Sequence, residues 1–348
     1  HAGPDPQPRR VDLAVAAVPA QARAAGVVQF IVTGASNQGM QRASELARER
    51  PGIFYSTAGV HPHHADTFTE ETETVIRQLV EREEVVAVGE TGLDYFRDFS
   101  PRDAQRSAFE RHIGIAADTG MPMFLHLRDA HEDFHAMLRE SRDRLSDVVV
   151  HCFTGSREEL HAYLDLDCHI GITGWICDER RGTHMKNYLG DIPADRLMIE
   201  TDAPYLLPRD LDPKPPTRRN EPMHLPHVLA ALARLRDADP AALAEATSSA
   251  QPGLVDRIRA GHVLDCRCFG FPVNRCAHLR SWQSPRVPVG FRQLQRQVKN
   301  TWPVIPRPHK EHAMHVTLVH VRVKPVYVDA FIEACRFNYE NSTREPGN

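Results

Sequence analysis

From residue 11 to about 250 the chain alternates short, β-branched apolar runs with longer amphipathic stretches. The apolar runs are 27–33, 53–58, 85–89, 122–126, 148–151, 169–173 and 197–201. Between them, 36–48, 70–82, 104–118, 130–142, 156–164 and 179–189 each carry one apolar face at helical spacing, and a helical region follows from Leu225 to about Thr247. Continuous apolar strands separated by helices predict a parallel sheet covered on both faces. Seven strands are one short of a closed (β/α)8 barrel. The missing strand belongs before a helix at 13–24, where residues 1–10 read HAGPDPQPRR. Three prolines and no β-branched residue make that a poor central strand. The pattern therefore predicts a TIM-type barrel with strand 1 absent or degenerate, with an open doubly wound sheet as the alternative. In the barrel, 27–33 and 197–201 would be left as edges.

After Leu254 the pattern changes. Residues 255–313 show neither helix nor strand period and hold 11 Lys+Arg against 3 Asp+Glu. They read as an irregular, basic, poorly ordered linker. The cluster Cys266, Cys268, Cys276 and His278 within it fits no usual zinc spacing. Residues 314–348 become regular again: MHVTLVHVRV alternates like a strand and 325–339 reads as a helix. Such a β–α unit is too small to bury a core by itself. The expected organisation is a hydrolase-type barrel over 1–254, a linker over 255–313 and an incomplete unit over 314–348.

Composition narrows the classes further. At 348 residues, 41% hydrophobic and 25% charged, the chain is globular rather than disordered. No apolar run approaches the roughly 20 residues of a membrane span, and no basic-then-apolar leader opens it. Seven cysteines make no disulfide scaffold, so a reducing cytoplasm is the expected location. The net charge of -4 hides an acidic main region, with 27 basic against 39 acidic groups in residues 1–254. Such a field repels nucleic acid unless cations or a local basic pocket reverse it.

The polar residues fall at the ends of the apolar runs. GVHPHH follows 53–58 with His61 and His63; 85–89 runs into Glu90; 122–126 ends in His126; 148–151 ends in His151; and 197–201 runs into ETDAP with Glu200 and Asp202. In parallel α/β folds the C-terminal strand edge is where loops converge and ligands bind. Imidazoles and carboxylates without a repeated Cys pair point to a catalytic divalent-metal site rather than a structural zinc. Glu200 and Asp202, two apart, point the same way on a strand, Glu200 being either a ligand or a buried partner of a nearby Arg or His.

The segments GVHPHHA, VGETGLDYFRDFS, MPMFLHLRDAHEDF, VVVHCFTGSREEL, IGITGWICDERRG and LMIETDAPYLLPRDLDPKPPTRRNEPMHLPHVL resemble the TatD family of metal-dependent deoxyribonucleases, in order from about Ala22 to Thr247. That resemblance implies a TIM-barrel hydrolase that trims DNA, and secondarily RNA, from 3′ ends. It places Glu90, His126, His151 and Asp202 on the family's metal ligands, with Asp202 and Glu90 as the catalytic pair. His61 and His63 match its His-Pro-His beside the metal; Arg128, Asp129, Arg209 and the RRNEP loop at 218–222 match segments at the cleft mouth. His61, His63, Arg128 and Arg209 are accordingly the expected substrate-binding residues, Mg²⁺ the expected metal ahead of Mn²⁺ or Zn²⁺, and a monomer the expected state. The chain departs from the family at strand 1, which has neither His-x-His nor an Asp/Asn pattern, and at ATSSAQPGLVDRI, where Pro252 interrupts the last helix. Residues 314–348 resemble the opening β–α unit of the antibiotic-biosynthesis-monooxygenase family of ferredoxin-like domains, cut short. The competing functional readings are hydrolysis of another ester or amide on the same scaffold, and an inactive remnant lacking strand 1. The chain has five Lys, none before Lys186, which disfavours an amidase with a bridging modified lysine.

Overall fold

The computed structural model describes residues 18–249 and the pair Leu318–Val319. Seven strands, β1 (Phe30–Val32), β2 (Phe54–Ala58), β3 (Val85–Asp94), β4 (Met123–Arg128), β5 (Val148–His151), β6 (His169–Ile172) and β7 (Leu197–Ile199), lie parallel and side by side in sequence order. A doubly wound sheet reverses its order at a switch point. The unbroken order here is that of a TIM-type barrel wall. Helices α1 (18–24), α2 (Asn37–Glu49), α3 (Glu70–Leu79), α4 (Arg102–Thr119), α5 (His131–Ser141), α6 (Arg157–Asp165), α7 (Leu225–Leu235) and α8 (Pro240–Ser249) connect and cover the strands. None of the described helices is long and apolar enough to cross a membrane.

Local chemistry sets the element ends. Ser36 Oγ accepts from Gly39 N–H to start α2, and reciprocal boxes, Thr69 with Thr72 and Ser156 with Glu159, start α3 and α6. Two stretches differ from the sequence pattern. Strand β3 continues to Asp94, five residues past the apolar run. The stretch 179–189 is not an α-helix but short 3₁₀ turns, His184–Asn187 and Leu189–Asp191 among them. Gly182 in this stretch packs against backbone and has no room for a side chain. A Cβ would run into the Trp175 carbonyl oxygen, so backbone packs on backbone where the helix reading required a side-chain face.

A further strand, β8 (Leu318–Val319), pairs antiparallel with β1, Ile31 opposite Val319 and Val32 opposite Leu318. The outer edge of β1, expected to be bare, is thus paired by two residues of the segment read as a ferredoxin-like fragment. Among the described residues β7 pairs with β6 alone. The degenerate strand 1, the linker over 255–313, the Cys266–His278 cluster, Pro252 and the rest of 314–348 lie outside the described residues.

Two apolar layers result. Ile31, Tyr55, Val86, Ala87, Phe124, Val149 and Met198 form one cluster inside the sheet. The alternate strand residues, such as Met123, Leu125, Val148, Val150, Ile170 and Leu197, pack outward against the helices. One buried polar contact joins the layers near the strand ends. His112 on α4 accepts from Val60 N–H at 3.1 Å through Nε2, and its Nδ1–H donates to the Ala108 carbonyl at 2.6 Å. The Val60 N–H can only donate, so this tautomer is fixed and the ring is neutral. Burial pushes its pKa down to about 4.

An unfolded imidazole takes up its proton near pH 6.5 and the buried one only near 4, so His112 contributes stability that is complete above 6.5 and lost as pH falls towards 4. Replacing His112 by Asn removes this titration. Denaturant melts of parent and variant at pH 7 and pH 5 should show the parent's advantage shrinking by about 1–3 kcal/mol in acid. A constant difference would show that the ring does not titrate on unfolding.

Candidate active site

The two-residue period that builds the inner apolar cluster also builds the site. Phe124 and His126, Val149 and His151, and Met198 and Glu200 are pairs on one face, so each strand passes from apolar cluster to polar cleft in one step. Strand β3 reaches the same face by an irregularity. Gly89 pairs with Phe124 and Thr91 with Leu125, leaving Glu90 as an extra residue between them. That bulge changes the parity, so that Ala87 lies in the inner cluster and Glu90, three residues on, joins the cleft. Asp94, four beyond Glu90, then faces the same way. The bulge requires glycine. Gly89 and Gly92 have φ of 143° and 140°, and a Cβ on either would strike a β4 carbonyl oxygen, that of Phe124 or of His126.

The result is a cleft of about 880 Å³ lined by His61, His63, Glu90, Asp94, His126, Arg128, His151, Cys152 and Asp202 among others. Glu90 Oε1 is its focus: 3.1 Å from His126 Nδ1, 3.4 Å from His61 Nε2 and 3.6 Å from His151 Nε2. His61 caps the 3₁₀ turn Pro62–Thr67, its Nδ1 accepting from His63 N–H at 3.1 Å. Its proton therefore sits on Nε2, aimed at Glu90. His63 Nε2 lies 2.7 Å from Asp94 Oδ2, while Asp94 Oδ1 accepts from the N–H groups of Phe96 and Arg97. His151 Nδ1 lies 2.7 Å from Glu200 Oε2, which also accepts from Cys152 N–H at 3.0 Å. Glu200 is fully buried, with Oε1 unpartnered. Asp202 Oδ1 lies 3.8 Å from His151 Nε2. Cys152, next after β5, and Asp202, three residues past β7, take the left-handed backbone, at φ of 46° and 55°. Such strain collects at functional sites.

The charges are interdependent. Burial works against ionisation of Glu90, but the surrounding imidazoles hold it well below the usual carboxylate range. Burial likewise opposes charge on Asp94 and is overcome by His126 and His63. His151 runs against its own burial, Glu200, Glu90 and Asp202 raising it to about 10. His126 is also raised, by Asp94 and Glu90 against burial. His61 is pushed down to about 4 by burial. Asp202 is pushed up to about 6 by burial, with the charges of Glu90 and Glu200 adding to it and His151 opposing.

All six residues expected around the metal, Glu90, His126, His151, Asp202, His61 and His63, come together in this cleft, as does Arg128. Arg209 does not: it stands outside the lining, its Nε 2.9 Å from Asp178 Oδ2, and that ion pair holds it on the neighbouring loop. Arg97 and Arg181 line the cleft instead. The Arg128 guanidinium stacks between Phe96 at 4.8 Å and Trp175 at 5.1 Å, and Arg181 stacks on Trp175 at 5.4 Å. The sequence reading missed Asp94, although its spacing of four from Glu90 on one strand was a usable signal. It missed Trp175 and Arg181 because no strand end marks them.

These residues fit a divalent cation. His126 Nε2 is buried without a hydrogen bond, beside Asp94 Oδ2 at 3.4 Å. The donors are imidazole nitrogens and carboxylate oxygens, which suit Mg²⁺, Mn²⁺ or Zn²⁺. The Glu200 carboxylate meets the far ring nitrogen of His151, as carboxylates commonly do behind metal-binding histidines. Two groups, His61–Glu90–His126 and His151–Cys152–Asp202, each bring three donor atoms within 4.8 Å of one another.

Fold and site together define a metal-dependent hydrolase on a TIM-type scaffold. Residues 5–253 match the family model described as TatD related DNase, and the chain belongs to that family. The match reaches past both ends of the resembling motifs and takes in part of 1–10. The 3′-5′ ssDNA/RNA exonuclease TatD of Erwinia billingiae is 51% identical over 223 residues, which cover 64% of this chain and 85% of that protein. The protein of the same name from Enterobacter lignolyticus is 52% identical over 223 residues, with the same coverage. The crystal structure of a TatD homologue from Escherichia coli, 27% identical, superposes with a TM-score of 0.63 over 71% of this chain and 93% of its own. A TatD family hydrolase of Entamoeba histolytica, 24% identical, shares the fold with a TM-score of 0.61 over 73% of this chain and 92% of its own.

Glu200 does not line the cleft itself, and the side chain it holds there is His151. Glu200→Gln should therefore leave the fold intact while weakening divalent-metal affinity by about 10–100-fold. Calorimetric titration with Mn²⁺ measures this, and affinity equal to the parent's would show that Glu200 does not orient His151.

Proposed function

We infer that the chain is a divalent-metal-dependent nuclease that removes nucleotides from the 3′ ends of single-stranded DNA, and of RNA as a second substrate. The observation that supports it most is the junction of two features. A buried imidazole–carboxylate centre lies at the cleft floor, and arginines stacked on aromatic rings stand at its wall. The named activity of relatives about 50% identical over the same region points the same way. We take Glu90, His126, His151 and Asp202 as the residues that hold the metal, Mg²⁺ before Mn²⁺ or Zn²⁺, in a monomer working in the cytoplasm.

A divalent cation bound there acidifies water and offsets charge on phosphoryl oxygens. The protein's own groups do the rest. Asp202 takes the proton of the attacking water on its carboxylate, which burial makes a stronger base than an ordinary Asp, its pKa being about 6. The water oxygen joins phosphorus, and the bond from phosphorus to the departing sugar oxygen breaks. His61 turns its Nε2–H from Glu90 to a non-bridging oxygen once Glu90 holds the metal, and His63 stands beside it, anchored through Nε2 on Asp94. Glu90 keeps the three imidazoles in place around one oxygen. Arg128, held flat between two rings, presents its remaining N–H groups to the phosphate.

Single strands fit the rim. Phe96, Phe99 and Tyr205 are 56%, 65% and 48% exposed, unusual for large apolar groups, and all lie near the cleft. Exposed rings take stacked bases, which a paired duplex withholds.

Two comparisons test this reading. Asp202→Asn keeps shape and removes charge, so cleavage of a labelled oligonucleotide should fall by about 10²–10⁴ at every metal concentration. His126→Ala should lose metal affinity first and recover part of its rate in excess metal. Full rescue of Asp202→Asn by metal would move the base elsewhere. For the rim, Phe96→Ala with Phe99→Ala should weaken binding of single-stranded oligonucleotides by about 1–3 kcal/mol per lost stack, seen as a raised KM at unchanged kcat. An unchanged KM would remove these rings from substrate contact.

A further inference from the structure

Outside the cleft a second group of metal-type donors comes together from three separate segments. Cys177 ends the 3₁₀ turn Gly174–Cys177 after β6, Asp210 lies on the long loop after β7, and His227 stands in the first turn of α7. One donor atom from each, a sulfur, a carboxylate oxygen and an imidazole nitrogen, lie within 4.8 Å of one another. His227 Nε2 is 2.7 Å from Asp210 Oδ1. Cys177 is buried, with the Asp210 carboxylate beside its thiol. None of the three lines the catalytic cleft.

We propose that Cys177, Asp210 and His227 form a Zn²⁺ site, separate from the catalytic centre, that clamps the loop after β7 to the turn after β6. A mixed sulfur, nitrogen and oxygen set is what Zn²⁺ accepts, with water completing four ligands. Ligand distances of about 2.0–2.3 Å in a tetrahedron separate donors by about 3.3–3.8 Å. The Asp210–His227 pair, now 2.7 Å apart, therefore opens on loading, while all three donors already lie within 4.8 Å of one another. Loading replaces the His227–Asp210 hydrogen bond by metal bonds: the Cys177 thiol proton passes to solvent, the His227 ring keeps its one N–H on Nδ1, and nothing is oxidised. In the metal-free chain the thiol stays protonated, because burial and the neighbouring Asp210 push its pKa up. A metal ion at the same place reverses that preference.

The position gives the clamp a role. Right beside it, Arg209 pairs with Asp178, joining the same two segments one residue along on each. Gly174 lies so close to the loop that a Cβ there would sit 2.6 Å from the Leu206 carbonyl oxygen and 3.0 Å from Pro208. Tyr205 and Leu206 of that loop wall the catalytic cleft. Fixing the loop at Asp210 therefore fixes the cleft wall four and five residues earlier.

The test adds Co²⁺ and Zn²⁺ to the full-length, metal-free protein. Cobalt bound by a thiolate shows near-ultraviolet charge-transfer absorption, which imidazoles and carboxylates lack. That absorption should appear in the parent, in Cys152→Ser and in His126→Ala, and should be lost in Cys177→Ser. Zn²⁺ should raise the parent's melting temperature, and Asp210→Asn and His227→Ala should weaken that second binding event at least about tenfold while Mn²⁺ binding in the cleft stays as in the parent. These two positions are partly exposed, so they test the site even if Cys177→Ser fails to fold. Absorption that survives Cys177→Ser, or that vanishes in Cys152→Ser, would overturn the proposal. So would equal Zn²⁺ stabilisation in parent and His227→Ala, which would leave the three residues in polar contact only.

Discussion

The site depends on a change of parity in β3. A strand's side chains alternate, so Ala87 in the inner cluster and Glu90 in the cleft cannot both be served by a regular ladder. The extra residue between the Gly89 and Thr91 pairings resolves the conflict, and it places Glu90 Oε1 among three imidazoles from β4, β5 and the loop after β2. Glycine at 89 and 92 is the steric condition, since β3 approaches two carbonyl oxygens of β4 too closely for any Cβ. The apolar cluster below is equally necessary. It fixes strand register, and register decides whether His126 and His151 face the cleft or the helices.

Electrostatics then makes the centre a cation site rather than a polar patch. Burial opposes the charge on Glu90 and Asp94, and the imidazoles around them overcome it, His126 and His151 being themselves raised by these carboxylates and Glu200. Glu200 ties the arrangement down from behind. It binds the far nitrogen of His151, which leaves only Nε2 facing Glu90 and Asp202.

Much of this was legible in the sequence because strand ends are. The run 148–151 coincides with β5, the other apolar runs each contain or overlap a strand, and the His, Glu and Asp at their ends face one cleft. The same reading failed where backbone geometry, not side-chain period, decides. The bulge at Glu90 leaves no periodic trace, so β3 was read as stopping at Gly89 and Asp94 went unassigned. The 179–189 stretch has a plausible apolar face, yet Gly182 packs on the Trp175 backbone and the stretch forms 3₁₀ turns. Arg209 is placed at the cleft mouth by the family resemblance, and only three-dimensional proximity reveals its pairing with Asp178.

Charge distribution bears on how such a centre meets a polyanion. The region up to residue 254 holds 39 acidic against 27 basic groups, so its long-range field repels nucleic acid. Attraction must come from inside about one Debye length, roughly 8–10 Å at moderate salt. Arg97, Arg128 and Arg181 line the cleft within that reach, and each lies over an aromatic ring, Phe96 or Trp175. A collar this small contacts few phosphates, which suits recognition of a chain end and not of a long tract. The exposed rings supply the remaining affinity without charge. The acidic exterior and the aromatic–arginine rim are thus two parts of one arrangement, in which only a terminus that can thread the cleft escapes the repulsion outside it.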